Sequence, residues 1–383
     1  MWMLTIGARI VYPAVMPGMQ AEFEFGYTTV GLLVGAVWGS YAIMQYPGGF
    51  LADIRSDRVA VTIGMSVMML GLVLILVGLS FELLVVATIV MGAGTGLIGP
   101  SRVIILVNEF PSARSTVVSI SQAAGSLGNA IFPIIAGSIM TYAGWRVGLG
   151  FLLPLCLIVT VLLWLLVPTR AEQSNRDSIA TTLASTARAL NTNSAIVATS
   201  MMLGVMLVFQ SLTGFLPTYF IDVSGFSTAQ ATRVFGLFFV TGLLMQLLAG
   251  LVGDRLDPGK TVGVFAGLAI PGVALLLISE SFWVLVIGVI LASALLGCFP
   301  PGLTYLAATF PPRVQGAGFG IVRSVYIGGG ALGPVGVGVL ADFYSLWIGL
   351  FSLGIVLCGI IVLAPFLPAL STTYAGKSIG LDD

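Results

Sequence analysis

Long apolar segments recur along the whole chain and constrain its fold more than any other feature. Crossing the roughly 30 Å hydrocarbon core of a bilayer takes about 20 residues of helix. Twelve segments of suitable length occur, at residues 2–20, 28–52, 59–79, 83–107, 115–141, 147–167, 195–217, 230–252, 261–279, 282–309, 314–340 and 346–368. The pattern predicts an all-α membrane protein with twelve transmembrane helices.

The composition agrees with a bilayer environment and argues against other classes of partner. Apolar residues make up 58% of the 383 residues and charged residues 8%, and the mean hydropathy is +1.09. The 15 basic and 15 acidic residues balance, whereas nucleic-acid binding needs a surplus of clustered basic charge. We therefore expect a monomer whose partners are the lipid bilayer and a small molecule, with no nucleic acid.

Groups that serve catalysis and metal binding are scarce. The chain has no histidine, and its three cysteines, Cys156, Cys298 and Cys358, lie apart within apolar segments. Their spacing indicates neither disulfides nor a zinc site. With no histidine, no carboxylate inside the predicted spans and no Walker-type phosphate loop, we expect no enzymatic activity, no cofactor and no metal.

A polar stretch separates six spans from six. We predict an N-terminal six-helix bundle at 1–168, a cytoplasmic linker at 169–194, a C-terminal six-helix bundle at 195–370 and a cytoplasmic tail at 371–383. No signal peptide is expected, because the first apolar segment continues into a spanning pattern without a small-residue cleavage site. That segment begins almost at Met1, so a natural start further upstream is left open.

Basic residues are distributed unevenly between the two sides of the predicted membrane. If the N-terminus is cytoplasmic, the inner loops and tail hold Arg55, Arg58, Arg114, Arg170, Arg176, Arg188, Arg255, Lys260, Arg313 and Lys377. The outer loops then hold only Arg146 and Arg233. Because positive charge is retained on the cytoplasmic side, we predict a multi-pass protein of the cell membrane with both termini in the cytoplasm.

The two halves of the chain repeat at a constant offset of 201 residues. The matched positions are Met44-Gln45 with Met245-Gln246, Gly49 with Gly250, Asp53 with Asp254, Gly96 with Gly297, Pro100 with Pro301, Gly128 with Gly329, Pro133 with Pro334, and Gly137 with Gly338. Glycine is common in this chain, but proline and aspartate pairs in the same register indicate a duplicated six-helix unit.

Segments of this repeat resemble motifs of the major facilitator superfamily. Residues 49–58 and 250–255 are similar to the loop signature Gly-x-Leu-x-Asp-Arg-x-Gly-Arg that follows the second and eighth helices of that family. The first copy departs from the signature, with Ile54, Ser56 and Asp57 in place of Arg, Gly and Arg. The resemblance implies two pseudo-symmetric six-helix bundles and transport of a small solute by alternating access, with organic-anion carriers as a candidate type.

The loop signature implies a gating role for its residues. In the family, the loop aspartate lies against the cytoplasmic end of the eleventh helix, whose N-terminal dipole favours an anion. The candidate gating residues are Gly49, Asp53, Arg55, Arg58, Glu109, Gly250, Asp254 and Arg255. Two alternatives stay open: the two aspartates only cap turns, and Glu109 is a solvated carboxylate and not the acceptor of Arg55 or Arg58.

Small residues and prolines mark the fifth and eleventh spans, at 125–137 and 328–338. These stretches are similar to the glycine- and proline-rich helix 5 of the superfamily and to its repeat. Small side chains let helices in lipid approach closely, and proline bends a helix. The predicted packing residues are Gly128, Pro133, Gly137, Gly329, Pro334 and Gly338.

Apart from Arg233 at the outer edge of the span 230–252, three arginines, Arg9, Arg102 and Arg323, lie inside the predicted spans without an Asp or Glu beside them there. A central arginine costs roughly 2.5 to 3.5 kcal/mol on insertion scales, which argues for a compensating function. Arg9 lies about 16 Å from the outer end of its span, near the depth at which carriers of this fold bind substrate.

Each of these arginines aligns with a neutral residue of the other repeat, near Gln210, Leu303 and Gln122. A requirement of the scaffold would appear in both halves, so the unmatched charges favour substrate recognition. Guanidinium binds carboxylate or phosphate through paired hydrogen bonds and stays charged. We therefore predict a small organic anion, bound by Arg9, Tyr12, Arg102, Gln122, Gln210, Arg323 and Tyr326, where each tyrosine lies one helical turn from an arginine.

Other interpretations of the arginines remain. In one alternative, the Arg102 side chain extends to the inner membrane interface or pairs with Glu109. In another, Arg323 pairs with Asp53 or Glu109 in a gating network. The alternative function is efflux of hydrophobic drugs through an aromatic and apolar cavity. Because the spans lack histidine and carboxylates, we expect proton coupling to be absent or carried by the substrate's own protonation.

Overall fold

The computed structural model describes residues 1–78, 80–168, 192–253, 255–308 and 315–367, without the side chains of Asp53, Ser115 and residues 315–318. Regular structure in this part of the chain is helical. The α-helices are α1 (Trp2–Phe23), α2 (Tyr27–Ile54), α3 (Asp57–Val77), α4 (Phe81–Glu109), α5 (Arg114–Gly150), α6 (Leu152–Leu166), α7 (Asn193–Asp222), α8 (Thr228–Gly253), α9 (Pro258–Ile278), α10 (Phe282–Ala292), α11 (Phe299–Ala308), α12 (Gln315–Gly330), α13 (Leu332–Phe343) and α14 (Leu346–Leu363). Two 3₁₀ segments, Ser293–Cys298 and Ala364–Phe366, follow α10 and α14.

Ten helical stretches of the described residues are long and apolar enough to cross a membrane. α1 is not one of them, and α5 and α6 form one stretch of 51 residues, Thr116–Leu166. Gly144, whose φ of 76° suits glycine, breaks the helical geometry within this stretch. Because 51 residues of helix extend for about 77 Å, the stretch is long enough for two crossings. The predicted all-helical membrane fold is confirmed, and the count of twelve crossings stays a prediction.

Short polar residues start several helices where the sequence leaves an apolar run. The Ser56 and Ser80 hydroxyls accept the backbone N–H groups of Val59 and Leu83 at 3.3 Å, in the first turns of α3 and α4. At the start of α8, Ser227 accepts the backbone N–H of Gln230 at 3.3 Å, and the Gln230 side chain accepts that of Ser227 at 3.0 Å. This reciprocal pair is a capping box.

The chain divides into two compact units. Unit 1 comprises Met1–Asn175, Gln210–Val240 and Ala331–Gly349. Unit 2 comprises Arg176–Phe209, Thr241–Gly330 and Leu350–Asp383. These units combine parts of both sequence repeats, so the bundle boundaries at 168, 194 and 370 stay predictions. The tail at 371–383 and the linker residues 169–191 lie outside the described part of the chain, with the basic residues Arg170, Arg176, Arg188 and Lys377.

In unit 1, helices approach closely at glycines. A Cβ atom built at Gly128 of α5 would lie 2.5 Å from the Met3 carbonyl oxygen of α1, and one at Gly137 would overlap the Thr232 side chain of α8. Such close contacts are possible only because glycine has no side chain, as expected for helices packed in lipid. Pro133 lies between these two glycines, within α5.

Also in unit 1, α13 packs against α2 through backbone atoms. A Cβ at Gly31 would overlap the Pro334 carbonyl oxygen, and a Cβ at Gly338 would overlap the carbonyl oxygen of Tyr27. This contact joins residues of the two sequence repeats. It lies at the N-terminal end of α2, which the predicted topology places outside, and we call it the predicted outer end.

In unit 2, α9 packs along α10 and the 3₁₀ segment Ser293–Cys298. Gly272 and Gly297 allow this approach, because Cβ atoms there would overlap Ala292 and Phe265. Gly329 of α12 faces Leu203 of α7, whose Cδ1 lies 2.6 Å from the position of its missing Cβ.

Candidate functional site

Two of the three arginines predicted inside the membrane converge in unit 1. Arg9 of α1 and Arg102 of α4 are 3% and 5% exposed. The guanidinium carbon of Arg102 lies 3.7 Å from the centroid of the Trp2 ring, and that of Arg9 lies 5.8 Å from it. The two cations are therefore no farther apart than the sum of these distances.

Arg9 is held among aromatic side chains of α1 and α2. Its guanidinium carbon lies 3.8 Å from the centroid of the Tyr41 ring and 4.8 Å from that of Trp38. The Arg9 Nε also donates to the Thr5 carbonyl oxygen at 3.4 Å. Cation–π attraction at the ring faces stabilises the buried charge. Side chains of a helix lean towards its N-terminus, which directs Arg9 towards Trp2.

Arg102 is held by α5 as well as by Trp2. Its Nη1 donates to the Ser121 hydroxyl at 3.2 Å and to Gln122 Oε1 at 3.4 Å. The Trp2 indole N–H donates to the same Gln122 oxygen at 3.1 Å. Since this amide oxygen accepts both bonds and the Gln122 side chain is exposed, the Gln122 NH₂ group is directed outward as a donor.

The Trp2 side chain lies in a space left by a glycine of α5. A Cβ at Gly125 would lie 2.7 Å from Cδ1 and 2.8 Å from Nε1 of the indole. Gly125 is three residues after Gln122, so both are on the face of α5 towards α1. The close packing of α1 and α5 thus positions Trp2, and Trp2 in turn contacts both cations.

One more polar group belongs to this region of α2. Gln45 lies one turn after Tyr41, and its side-chain nitrogen is buried without a hydrogen-bond partner among the described residues. A buried donor of this kind is costly unless a partner arrives. Gln45 therefore extends the candidate site along α2.

The remaining predicted binding residues have different surroundings. Tyr12 is fully buried, and its hydroxyl lies 2.5 Å from the Thr88 hydroxyl, which donates to the Leu84 carbonyl oxygen. Tyr12 thus links α1 to α4. Gln210 is fully buried in α7, while the half-buried Arg323 and the buried Tyr326 lie on α12 in unit 2. Their roles in binding stay predictions.

Sequence reasoning missed Trp2, Trp38, Tyr41 and Ser121. Trp2 is seven residues before Arg9, two turns along the same face of a helix. This spacing would have predicted that the two side chains lie near each other. Trp38 and Tyr41 are three residues apart and likewise share one face of α2. Nothing in the sequence indicated which helix this face would meet.

The predicted gating residues lie at the other end of the spans, and the structure describes most of them. Arg58 stacks on Trp164, with 4.3 Å between the guanidinium carbon and the ring centroid. A Cβ at Gly49 would lie 3.9 Å from Pro100, and Gly250 faces open space. The side chains of Arg55, Glu109 and Arg255 are exposed. Asp254, Arg313 and the side chain of Asp53 lie outside the described part of the chain. The gating role of the loop signature therefore stays a prediction.

Two polar clusters lie at the predicted outer end of unit 1. In the first, Glu22 forms a two-bonded ion pair with Arg146 and accepts the indole N–H of Trp145 at 2.8 Å. Arg146 also donates to the Leu76 and Gly78 carbonyl oxygens, each at 3.1 Å. The hydrogen bonds from Arg146 hold the pKa of Glu22 below its usual value.

The second cluster surrounds the first residues of α2. The Asp342 carboxylate of α13 accepts the backbone N–H groups of Tyr27 and Thr28, both at 2.8 Å. The Tyr27 hydroxyl donates to Asp222 of α7 at 3.2 Å. Gly26 precedes α2 and has no side chain for capping, so a residue of the second repeat caps a helix of the first.

The side chains that converge at the site are cationic, aromatic and amide groups. Among the described residues, no group of three or more His, Cys, Asp and Glu side chains could hold a metal ion.

Known transporters resemble this chain over most of its length. The fosmidomycin resistance protein of Escherichia coli K12 is 24% identical over 345 residues, which cover 87% of this chain and 82% of that protein. The gallate transporter of Pseudomonas putida is 24% identical over 390 residues, 88% of this chain and 84% of that protein. A probable hexose phosphate transport protein of Chlamydia trachomatis is 24% identical over 283 residues, 66% of this chain and 62% of that protein.

Solved structures share the fold. A bacterial homolog of the human lysosomal transporter Spinster matches with a TM-score of 0.80 at 17% identity, covering 98% of this chain and 95% of that one. The nucleoside transporter NupG matches with a TM-score of 0.76 at 17% identity, covering 96% of each chain. The profile of the Major Facilitator Superfamily matches residues 1–270 and 225–379. The chain therefore belongs to the Major Facilitator Superfamily and is a multi-pass membrane transporter of a small molecule.

Proposed function

We propose that this chain carries a small organic anion, a carboxylate or a phosphate ester, across the cell membrane by alternating access. One observation carries the proposal: two buried guanidinium groups, Arg9 and Arg102, lie against one indole ring. Buried arginines in a transporter mark the substrate pathway, and a guanidinium pair is complementary to an acidic group.

The aromatic rings favour a defined orientation of the bound anion. The Tyr41 and Trp38 rings are perpendicular to each other, and both present a face to the Arg9 guanidinium carbon. Because the N–H groups of a guanidinium radiate in its plane, an acidic group meets paired donors on the side of Arg9 away from these two rings. The outward NH₂ of Gln122 supplies a neutral donor beside Arg102.

Binding couples to movement through charge. In the loaded carrier, the bound anion compensates the buried positive charge. In the empty carrier, the guanidinium groups lose water without gaining a partner anion, so its rearrangement costs more free energy. We also propose Tyr12, Gln210, Arg323 and Tyr326 as substrate-binding residues. The carrier is proposed to act as a monomer, with both termini in the cytoplasm and with Asp53 and Asp254 in the inner latch.

The names of two relatives support an anionic substrate. Gallate is a carboxylate and hexose phosphate is a phosphate ester, and the transporters named for them align with this chain. Both chemistries match guanidinium recognition.

A second candidate is drug efflux. Trp2, Trp38 and Tyr41 form an aromatic region around Arg9, and the fosmidomycin resistance protein is a relative. An efflux carrier of this kind would bind lipophilic cations or neutral aromatic compounds by ring stacking. Its affinity would not depend on the charge of Arg9.

A binding screen on the purified protein separates these functions. Thermal stabilisation is measured with a panel of carboxylates, phosphate esters and lipophilic cations, for the natural chain and for Arg9→Gln. If the proposal is right, anions stabilise the natural chain and do not stabilise Arg9→Gln. Stabilisation by lipophilic cations, equal in both proteins, would support efflux and contradict the anion carrier.

A further inference from the structure

We propose that Trp2 is a specificity-determining residue that makes the site selective for anions with two negative charges over anions with one. The inference rests on the proposed anion transport and deepens it. Its basis is that one side chain contacts both cations and the amide beside them. Trp2 lies 3.7 Å from the Arg102 guanidinium carbon and 5.8 Å from that of Arg9, measured at the ring centroid.

Trp2 holds two positive charges close together. Like charges repel, more strongly where water is excluded, and the indole face compensates part of this repulsion through its negative quadrupole. A ligand with a single charge satisfies one guanidinium well and the other poorly. A ligand with two charges on one group relieves the repulsion at both, so the spacing set by Trp2 favours it.

The indole N–H fixes the partner of Arg102. It donates to Gln122 Oε1 at 3.1 Å, the oxygen that also accepts from Arg102 Nη1 at 3.4 Å. The bond locks the amide so that its NH₂ group is directed outward. Trp2 therefore positions three groups, which are two guanidiniums and one neutral donor.

Two hexose derivatives provide matched probes. Glucose 6-phosphate carries about two negative charges at pH 8, because its second phosphate pKa is about 6, whereas glucuronate carries one. Both share a hexose ring, and glucose is the neutral control. Dissociation constants for all three are measured by calorimetry with the full chain at pH 8.

The variants separate selectivity from folding. Trp2→Phe keeps an aromatic face but loses the indole N–H, and Gln122→Leu changes an exposed residue that accepts that bond. We expect each to reduce the preference for glucose 6-phosphate over glucuronate by about tenfold, the upper end of what one neutral hydrogen bond contributes. Trp164→Phe is the matched control, because Trp164 stacks on Arg58 in the same way and is half exposed.

The outcomes distinguish the two proposals. If neither anion binds more tightly than glucose, anion transport itself is contradicted. If both anions bind and the two variants weaken them by the same factor, anion transport stands and the role of Trp2 is refuted. A preference that changes equally in Trp164→Phe would also refute it.

A second, independent observation concerns the predicted outer end. We infer that Asp342 is a latch that holds the two sequence repeats together there. Its carboxylate accepts the first two backbone N–H groups of α2, at 2.8 Å each, and replaces the cap that Gly26 cannot provide. A negative charge is also favoured at this end of the α2 dipole.

The contact joins opposite ends of two helices of unit 1. Asp342 lies near the C-terminal end of α13 and caps the N-terminus of α2. Asp342 thus caps the start of α2 from the other sequence repeat.

Cysteine labelling tests the latch. A single cysteine replaces Val34, which is 1% exposed beside Gly214, in a background where Cys156, Cys298 and Cys358 are serine. An impermeant maleimide is added from outside. We expect Asp342→Asn to raise the labelling rate about fivefold, the shift that corresponds to a typical helix cap. Glu24→Gln, at a neighbouring exposed carboxylate, is the control. Equal rates in Asp342→Asn and the natural chain would refute the latch.

Discussion

Arg9 and Arg102 lie against the same side chain, with their guanidinium carbons 5.8 and 3.7 Å from the centroid of the Trp2 ring. The arrangement brings α1 and α4 together at two buried positive charges. A stacked aromatic residue compensates for lost hydration but carries no net negative charge, so a bound anion is still favoured.

Arg9→Gln is expected to raise the dissociation constant of an anionic substrate about 10- to 100-fold, because it removes a charge-assisted pair of hydrogen bonds. Arg9→Lys keeps the charge but neither stacks nor donates in a planar pair, so it should recover only part of the affinity. Calorimetry on the purified variants provides the values. Arg233→Gln, at an exposed arginine, serves as the control, and an equal loss there would argue against a specific site.

Gly338→Val is expected to push α2 and α13 apart, because a side chain at Gly338 would overlap the Tyr27 carbonyl oxygen. The matched control is Gly336→Val on the same helix, where nothing lies within 4 Å of the added Cβ. Outside labelling of a cysteine at Val34 should rise in the first variant and not in the second. The same rate in both would show that this contact does not close the predicted outer end.

Glu22→Gln is expected to lower the free energy of unfolding at neutral pH by at most about 1 kcal/mol, since the pair with Arg146 is partly exposed. Because the pKa of Glu22 is lower in the folded state, its contribution is present above the unfolded pKa and disappears as the pH falls through the folded value. Melting curves of the two proteins should therefore differ at pH 7 and converge in acid. A difference that persists unchanged in acid would exclude the ionised pair as its cause.

Asp53→Asn and Asp254→Asn are expected to shift the balance between the two access states while anion affinity changes little. The loop signature is the basis for this expectation, because a carboxylate at a helix N-terminus stabilises one closed state. Cysteines on either side of the membrane report the shift. Unchanged accessibility on both sides would favour the alternative that these residues only cap turns.

The sequence predicted the fold class well because each long apolar segment can be recognised by itself, without knowledge of how the helices pack. Gly144 breaks the helical geometry within α5. The number of membrane crossings there depends on the path of the backbone, which composition alone does not determine. Arg9 and Arg102 stood out as charges in apolar spans, and the structure brings them together with Gln122.

The aromatic partners that α2 supplies to Arg9 could not be predicted from the sequence, because they depend on how the helices pack. Tyr12 was the expected aromatic partner of Arg9 by its spacing, yet its hydroxyl contacts Thr88 on α4, while Trp38 and Tyr41 of α2 lie at the guanidinium. Similarly, the cap of α2 by Asp342 joins residues of opposite repeats, a long-range contact that local patterns cannot specify.

Counterflow in proteoliposomes tests the central claim most directly. Vesicles loaded with glucose 6-phosphate or glucuronate receive the labelled anion outside, with no proton gradient. The account predicts saturable uptake that glucose does not compete with and that Arg9→Gln strongly reduces, because the charge of Arg9 holds the anion and the spans supply no histidine for proton transfer. Uptake of neutral glucose at the same rate, full uptake by Arg9→Gln, or anion uptake that collapses without a proton gradient would contradict it.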